Sequence, residues 1–384
     1  MPMRILCCSG SMESGGSERQ LWQLAVGLPA EHIEVQIYLI YRRGKYLSQI
    51  PARIAVHDFS SQQLESGPRY PGSIHRQQVK HLTKILREQQ IDLVYDRTFH
   101  MTLVTAAACR ATGTPRVSVI VNPPSSDFVR SQERFGWLKK RLLARAYRDP
   151  RSRCLAVSNS VAEDAASFYQ IPKTCIEAIP SPIDIATVEQ AAQADPTAVP
   201  DRDTTFRWLI VGRLAEQKGQ RLAIEAMAKL KAMRPNQPIE LTLIGDGPLR
   251  ESLVERAKQL NLQSTVRFEG QLDNPYPWMQ ATDLLCIPSW YEGLPNVALE
   301  GMCLNTPIVA SDCSGSVREL LGDGRGCVVP VGDVDALAHA VLDRIEQPQR
   351  WQARASAARN WVTERHRLQP WLSHMQQLFE ELKS

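Results

Sequence analysis

Seven residues separate two carboxylates, Glu292 and Glu300, and the run between them begins Gly293-Leu294-Pro295-Asn296. Pro295 suits the first turn of a helix, so a helix is expected over 296–302, with Glu292 in the loop before it and Glu300 more than a turn inside. A carboxylate can accept hydrogen bonds from two neighbouring hydroxyls, which matches a ribose diol or a sugar ring. The start of such a helix also offers unpaired N–H groups to phosphate oxygens. Acidic residues around a helix start also occur by coincidence, and the Gly-Leu-Pro-Asn run argues against chance here. A second cluster is Gly212-Arg213, followed five residues later by Lys218-Gly219. One guanidinium makes a forked contact and one ammonium a point-charge contact, an arrangement that suits a diphosphate. A solvated loop with two ordinary cations fits the same residues. A third cluster, Ile244-Gly245-Asp246-Gly247-Pro248, lets backbone approach a ligand closely. It also reads as a tight turn into a helix with Pro248 near its start.

These clusters must be positioned by regular elements. Apolar, β-branched runs at 4–8, 35–41, 54–57, 91–95, 116–121, 154–157 and 176–179 read as strands, with helical periods between most of them, notably at 17–28, 75–89 and 101–110. The segment 189–205 is polar with two prolines and reads as a connection. Strands resume at 207–211, 240–244, 266–268, 284–287, 307–310 and 327–329, and 347–383 reads as helical. Strands spaced by helices argue for βαβ units and parallel sheets. Two such halves predict a ligand in a central cleft, at the carboxyl ends of the strands. Arg213–Lys218, Gly245–Gly247 and Glu292 each follow a predicted strand.

The chain has 384 residues, 43% hydrophobic and 22% charged, which is a globular composition and excludes a disordered or collagen-like chain. No apolar run approaches the ~20 residues that span a bilayer, and the start lacks a signal-peptide layout, so a cytoplasmic protein is expected. Nine cysteines occur without a C-x-x-C pair, which argues for buried free thiols over a zinc ribbon or a redox motif. G-x-G-x-x-G after a first strand and G-x-x-x-x-G-K-[ST] are both missing, which lowers the standing of dinucleotide and P-loop enzymes. The net charge of +4 is uneven: residues 1–195 carry 24 basic and 18 acidic residues, and the excess lies in 130–153. There Phe135, Leu138, Leu142 and Ala146 fall at helical spacing among basic residues, with Trp137 nearby. A basic amphipathic helix with an aromatic end can lie on an anionic membrane; a solvated helix with its apolar stripe in the core fits equally. Nucleic acid is not an expected partner, because no recognition pattern accompanies the charge.

The segment from Pro288 to Gly301 resembles the E-x7-E motif of retaining family 4 glycosyltransferases. Gly212-Arg213-Leu214-x3-Lys218-Gly219 and Ile244-Gly245-Asp246-Gly247-Pro248 resemble further segments of that family, in family order. Ser14-Gly15-Gly16-Ser17-Glu18-Arg19, Val157-Ser158-Asn159-Ser160-Val161 and Ile179–Asp184 resemble family segments of the first half. The resemblance implies the GT-B fold: α/β, two Rossmann-like domains with parallel sheets facing a central cleft. It implies an N-terminal acceptor-binding domain over 1–190, a linker at 191–205, a nucleotide-sugar-binding domain over 206–364, and a last helix at 365–384 that can return to the first domain. By the resemblance, Arg213 and Lys218 hold the donor's diphosphate, Glu300 binds the nucleotide ribose and Glu292 faces the transferred sugar. The backbone of Gly293, Leu294 and Asn296 lines the donor site with Gly245 and Gly247, and Gly16 lets the first domain's loop approach the diphosphate. The reaction implied is a retaining, metal-independent hexosyl transfer to a glycan or lipid-linked acceptor in polysaccharide, lipopolysaccharide or glycoconjugate synthesis. The nucleotide-sugar is then a substrate, and no cofactor is expected.

One departure stands out. Many relatives have a His at the end of the strand before the basic segment, where this chain has Val121-Asn122-Pro123. His100 is the nearest His at a strand's end, and it and Asn122 are the acceptor-side candidates. A surface or capping role fits His100 as well. Asp333-Val334-Asp335 superficially resembles the D-x-D of metal-dependent transferases, but it precedes a clear helix, so capping is the better reading. The alternatives are a transferase acting on a soluble acceptor, a nucleotide-sugar epimerase, and a non-catalytic glycan-binding protein on the same fold.

Overall fold

The computed structural model describes residues 2–13, 15–62, 72–130, 135–194, 199 and 204–383. The chain forms two compact units, Met1–Pro182 with Gln369–Ser384, and Ile183–Leu368. In the first unit the strands are β1 (Met3–Ser9), β2 (Ile33–Leu39), β3 (Ala55–Asp58), β4 (Leu93–Arg97), β5 (Arg116–Ile120), β6 (Ser152–Ala156) and β7 (Ile176–Ala178). They make a parallel sheet in the order β3-β2-β1-β4-β5-β6-β7. In the second unit β8 (Phe206–Val211), β9 (Ile239–Ile244), β10 (Val266–Gly270), β11 (Leu284–Ile287), β12 (Ile308–Ser311) and β13 (Cys327–Val329) run in the order β10-β9-β8-β11-β12-β13, again parallel.

Both faces of the second sheet are covered. Trp208, Ile210, Leu241, Leu243 and Cys286 point into one core with Met227 and Val341, while Leu209, Ile244, Leu285 and Ile287 point into another with Leu299 and Met302. This two-sided burial explains why the strands read as continuous apolar runs and not as alternation. Each large apolar side chain so buried contributes about 1.5–3 kcal/mol.

Two readings of the domain bounds shift. Helix Ile185–Gln193 belongs to the second unit, although the polar composition around it placed it with the first domain and the linker. Val188 and Ala192 pack into the second unit's core, and Asn274 Nδ2 donates to the Ala191 carbonyl at 2.7 Å. Residues 195–198 and 200–203 of the expected linker lie outside the described residues. The expected terminal helix is two, Pro348–Arg365 and Leu368–Lys383; between them the His366 carbonyl accepts the Ile183 N–H at 2.7 Å. From Gln369 onward the last helix is part of the first unit, with the Phe379 ring 6.1 Å from that of Tyr95.

The basic segment differs most. Residues 131–134 lie outside the described ones, and the helix runs only from Gly136 to Tyr147. Its buried side chains are Leu143, Ala146 and Tyr147. Of the apolar positions picked out by spacing, only Ala146 is inside. Phe135, Leu138 and Leu142 are 51%, 40% and 43% exposed, and Trp137 is 70% exposed. The helix turns a different stripe toward the sheet, so the large apolar groups are left outside.

Candidate functional site

Each sheet reverses its strand order at one place, between β1 and β4 and between β8 and β11. Open α/β sheets bind ligands outside the carboxyl ends of strands at such a reversal. In the second unit the loops after β8 and β11 meet there. Gly219 has φ 64°, and a Cβ on it would come within 2.0 Å of the Pro288 carbonyl oxygen, so only glycine lets the β8 loop lie against the end of β11. Gly245 is held in the same way, at φ 137°, with its missing Cβ 2.1 Å from the Gly212 carbonyl oxygen.

Hydrogen bonds knit these loops. The Trp290 N–H donates to the Gln217 carbonyl at 2.8 Å, and Gln217 Nε2 donates to the Tyr291 carbonyl at 3.0 Å. The Leu214 N–H donates to the Asp246 carbonyl at 3.0 Å, bringing the Gly245–Gly247 turn beside Arg213. Lys218 Nζ stands 2.7 Å from Glu292 Oε1, and Ser289 Oγ donates to the same oxygen at 2.7 Å. Glu292 is therefore fixed within the protein. The Lys218 side chain remains 27% exposed, with further N–H groups to offer. Buried Gln220 donates to the Arg213 carbonyl at 2.9 Å and sets that backbone. The Arg213 side chain is exposed and makes no hydrogen bond or ion pair among the described residues.

Asn296–Cys303 forms a helix, with Pro295 at its cap position. Glu300 is buried on it, and buried Ser316 donates its hydroxyl to the Gly293 carbonyl. The structure thus joins Arg213, Lys218, Gly245, Gly247, Glu292 and Gly293 in one loop cluster, with Leu294, Asn296 and Glu300 continuing into the adjoining helix. The spacing of Glu292 and Glu300 pointed there. Gln217, Ser289 and Ser316 were missed, because polar residues that brace a loop carry no distinguishing pattern.

The remaining candidates lie in the first unit, near the carboxyl ends of its strands. Gly16 begins the helix Gly16–Gly27 after β1; Ser14 of the same segment lies outside the described residues. Arg97, at the end of β4, is buried and holds the first turn of that helix, donating to Ser17 Oγ at 3.1 Å and to Gln20 Oε1; it also donates to Tyr95 Oη at 2.9 Å. Thr98 follows with φ 72° and ψ 145°, a costly backbone for a β-branched residue. His100 is exposed on the next helix, its ring against Phe99. Asn122 Nδ2 donates to Asp127 Oδ2 at 3.4 Å. A small cavity includes Thr98, Phe99, Asn122, Asp127 and Phe128 in its lining. Sequence spacing gave no sign of Arg97 or of the strain at Thr98.

Asp333 accepts a hydrogen bond from the Ala336 N–H at 2.9 Å, the helix-capping geometry. Among the described residues no three His, Cys, Asp or Glu side chains converge as a metal site.

Comparison with known proteins follows the same division. The family described as "Glycosyltransferase Family 4" matches residues 14–187, and "Glycosyl transferases group 1" matches residues 205–347. The chain is 26% identical over 341 residues to the Campylobacter jejuni N-acetylgalactosamine-N,N'-diacetylbacillosaminyl-diphospho-undecaprenol 4-alpha-N-acetylgalactosaminyltransferase, covering 88% of each chain. It is 34% identical over 131 residues to the lipopolysaccharide core biosynthesis glycosyltransferase LpsE of Rhizobium meliloti, covering 34% of this chain and 37% of that one. Several curated relatives are matched over only 28% to 37% of their own length. The structure of Anabaena HepE in complex with UDP and glucose superposes with a TM-score of 0.79 at 20% identity, covering 99% of this chain and 100% of that one. Its likeness is one of fold.

Proposed function

The chain belongs to the family 4, group 1 glycosyltransferases, and on that footing we propose that it transfers a sugar, with retention at the anomeric carbon, from a nucleotide-sugar to a lipid-linked or polymeric glycan. The observation that carries this reading is the meeting of the β8 and β11 loops at the second sheet's strand reversal, with Arg213 open and Lys218 joined to Glu292. In this reading Arg213, Lys218 and the helix start at Asn296 hold the donor diphosphate, and Glu300 accepts from the ribose hydroxyls. Glu292, braced by Lys218 and Ser289, lies on the sugar side.

Transfer breaks the bond from the anomeric carbon to the diphosphate oxygen and forms one to the acceptor oxygen. Positive charge grows on the sugar and negative charge on the departing diphosphate. Cations and helix-start amides aimed at that diphosphate stabilise the transition state more than the bound substrate. The acceptor's proton passes to the leaving phosphate on the same face, so the reaction needs no protein base. The first unit takes the acceptor, with His100 and Asn122 the residues to test.

A thermal-shift panel of nucleotide-sugars tests the donor class, since a ligand that binds only the folded state raises the melting temperature. Nuclear magnetic resonance of the first product formed then reads retention or inversion directly. No shift with any nucleotide-sugar would refute the reading.

A second reading concerns place. The exposed Phe135, Trp137, Leu138 and Leu142 adjoin Lys139, Lys140 and Arg141, a combination that suits the interface of an anionic membrane. Among the described residues no helix is long and apolar enough to cross a membrane. We place the protein at the inner face of the cell membrane, where lipid-linked acceptors are presented. Sedimentation with anionic vesicles tests this, and reversing the charge of Lys139, Lys140 and Arg141 should abolish it.

A further inference from the structure

The amino-terminal end of the first sheet, opposite the end that carries Gly16, His100 and Asn122, holds a groove of about 590 Å³ whose lining includes none of the residues placed in sugar transfer. Five arginines line it: Arg110, Arg141, Arg145, Arg148 and Arg151. They come from separate places in the chain. Arg110 is in the last turn of helix Phe99–Thr112, Arg141 and Arg145 are about one turn apart on helix Gly136–Tyr147, and Arg148 and Arg151 flank the turn into β6. The one carboxylate in the lining, Asp149, is already engaged, accepting the Arg151 N–H at 3.1 Å and standing 3.5 Å from Arg151 Nε. Arg148 donates to the Gln170 carbonyl. The side chains of Arg110, Arg141 and Arg145 make no hydrogen bond or ion pair among the described residues.

A cation near the end of a helix is ordinary, because it offsets the carbonyl end of the helix dipole. That accounts for Arg110 and Arg145 taken singly. It does not account for five guanidiniums around one groove, which repel one another and concentrate a positive field there. Guanidinium forks match the oxygens of a phosphate in geometry and charge. We propose that this groove binds a phosphate-bearing group, a phosphomonoester or diphosphate, at a site separate from the donor site. The phosphate belongs either to a lipid headgroup or to a soluble phosphorylated molecule, and the same forks serve both.

Inorganic pyrophosphate is the probe. Titrated calorimetrically into the full chain carrying Arg213→Ala and Lys218→Ala, it reports the groove without the donor cations. The expected result is saturable binding that Arg141→Gln with Arg145→Gln weakens by at least about tenfold, the scale of one lost charge-assisted contact. Both side chains are exposed, so the melting temperature without ligand should hold. Arg→Lys at the two positions keeps the charge, loses the fork and should fall between. Retention on phosphatidate vesicles that pyrophosphate displaces assigns the phosphate to a lipid; pyrophosphate binding without vesicle retention assigns it to a soluble molecule. Absence of saturable pyrophosphate binding, or binding indifferent to the two substitutions, overturns the site. Vesicle binding that survives those substitutions and that pyrophosphate does not displace belongs to the exposed aromatic face; pyrophosphate binding that the substitutions still weaken then assigns the groove to a soluble molecule.

Discussion

Lys218 and Glu292, 74 residues apart in the sequence, meet with the ammonium nitrogen 2.7 Å from a carboxylate oxygen. The pair ties the loop after β8 to the loop after β11. Lys218→Ala leaves Glu292 with Ser289 and removes a cation from the diphosphate side. Steady-state kinetics should show kcat falling by about 100-fold, in line with the loss of a charge that acts on the transition state. The Michaelis constant for the donor should change much less. A large rise in that constant with kcat intact would assign Lys218 to ground-state binding alone.

Glu300 should behave differently. It is buried one turn into its helix and reads as the acceptor for the ribose hydroxyls. Glu300→Ala should weaken nucleotide binding by about tenfold, the worth of a hydrogen bond to a charged group. Calorimetry with the free nucleotide diphosphate checks this, because the sugar plays no part in it.

Asp333 caps its helix, so Asp333→Ala should cost about 1 kcal/mol of stability and leave kcat unchanged. Thermal melting and an activity assay on the same preparation decide the matter. Lost activity without lost stability would restore a chemical role to the Asp333–Asp335 pair.

Burial, and then the Glu292 carboxylate, pushes the Cys313 thiol up to about 12. Alkylation needs the thiolate, so Cys313 should react slowly at mildly alkaline pH. Removing the negative charge in Glu292→Gln lowers the cost of forming a thiolate. Peptide mapping after iodoacetamide should then show faster labelling of Cys313. An unchanged rate would mean that Glu292 does not act on this thiol.

His57 and His81 are both held below the usual imidazole range, chiefly by burial. Their unfolded forms therefore take up protons first as pH falls through about 6.5. The stability they contribute is complete above that value and is lost as the solution becomes more acidic. Asp58, also nearby, is lowered as well: burial alone would raise it, but hydrogen bonds from Ser61 and Ser60 and the Arg42 charge together outweigh that, and its effect falls at lower pH, in the carboxylate range. His57→Gln with His81→Gln should lessen the fall of the melting temperature as pH drops below about 6.5. A slope equal to that of the wild type would place the acid sensitivity elsewhere.

Much of this site is legible in the residues themselves. Glu292, Pro295 and Glu300 announce a loop, a helix start and two acids in that order, and the structure has them so. Gly219 and Gly245 stand where only a glycine allows two loops to touch, a requirement visible as glycines although the partners are not. Ser289 and Ser316 brace Glu292 and Gly293 through tertiary contacts, which no local pattern records. The basic segment shows the limit of periodicity. Phe135, Leu138 and Leu142 share helical spacing, yet Leu143 and Tyr147 face the sheet, because both stripes are apolar enough and packing chooses between them. Arg97 and Thr98 owe their importance to burial and backbone angle, which a residue type does not reveal.

The central claim is that the loops after β8 and β11 hold a nucleotide-sugar by its diphosphate. Its most direct test is calorimetric titration of the nucleotide-sugar chosen by the thermal panel into the wild type and into Arg213→Ala with Lys218→Ala. Lys218 acts mainly on the transition state, so the lost Arg213 contact dominates, and affinity should fall by at least about tenfold. Affinity within about twofold of the wild type, less than half a kcal/mol, would contradict the account.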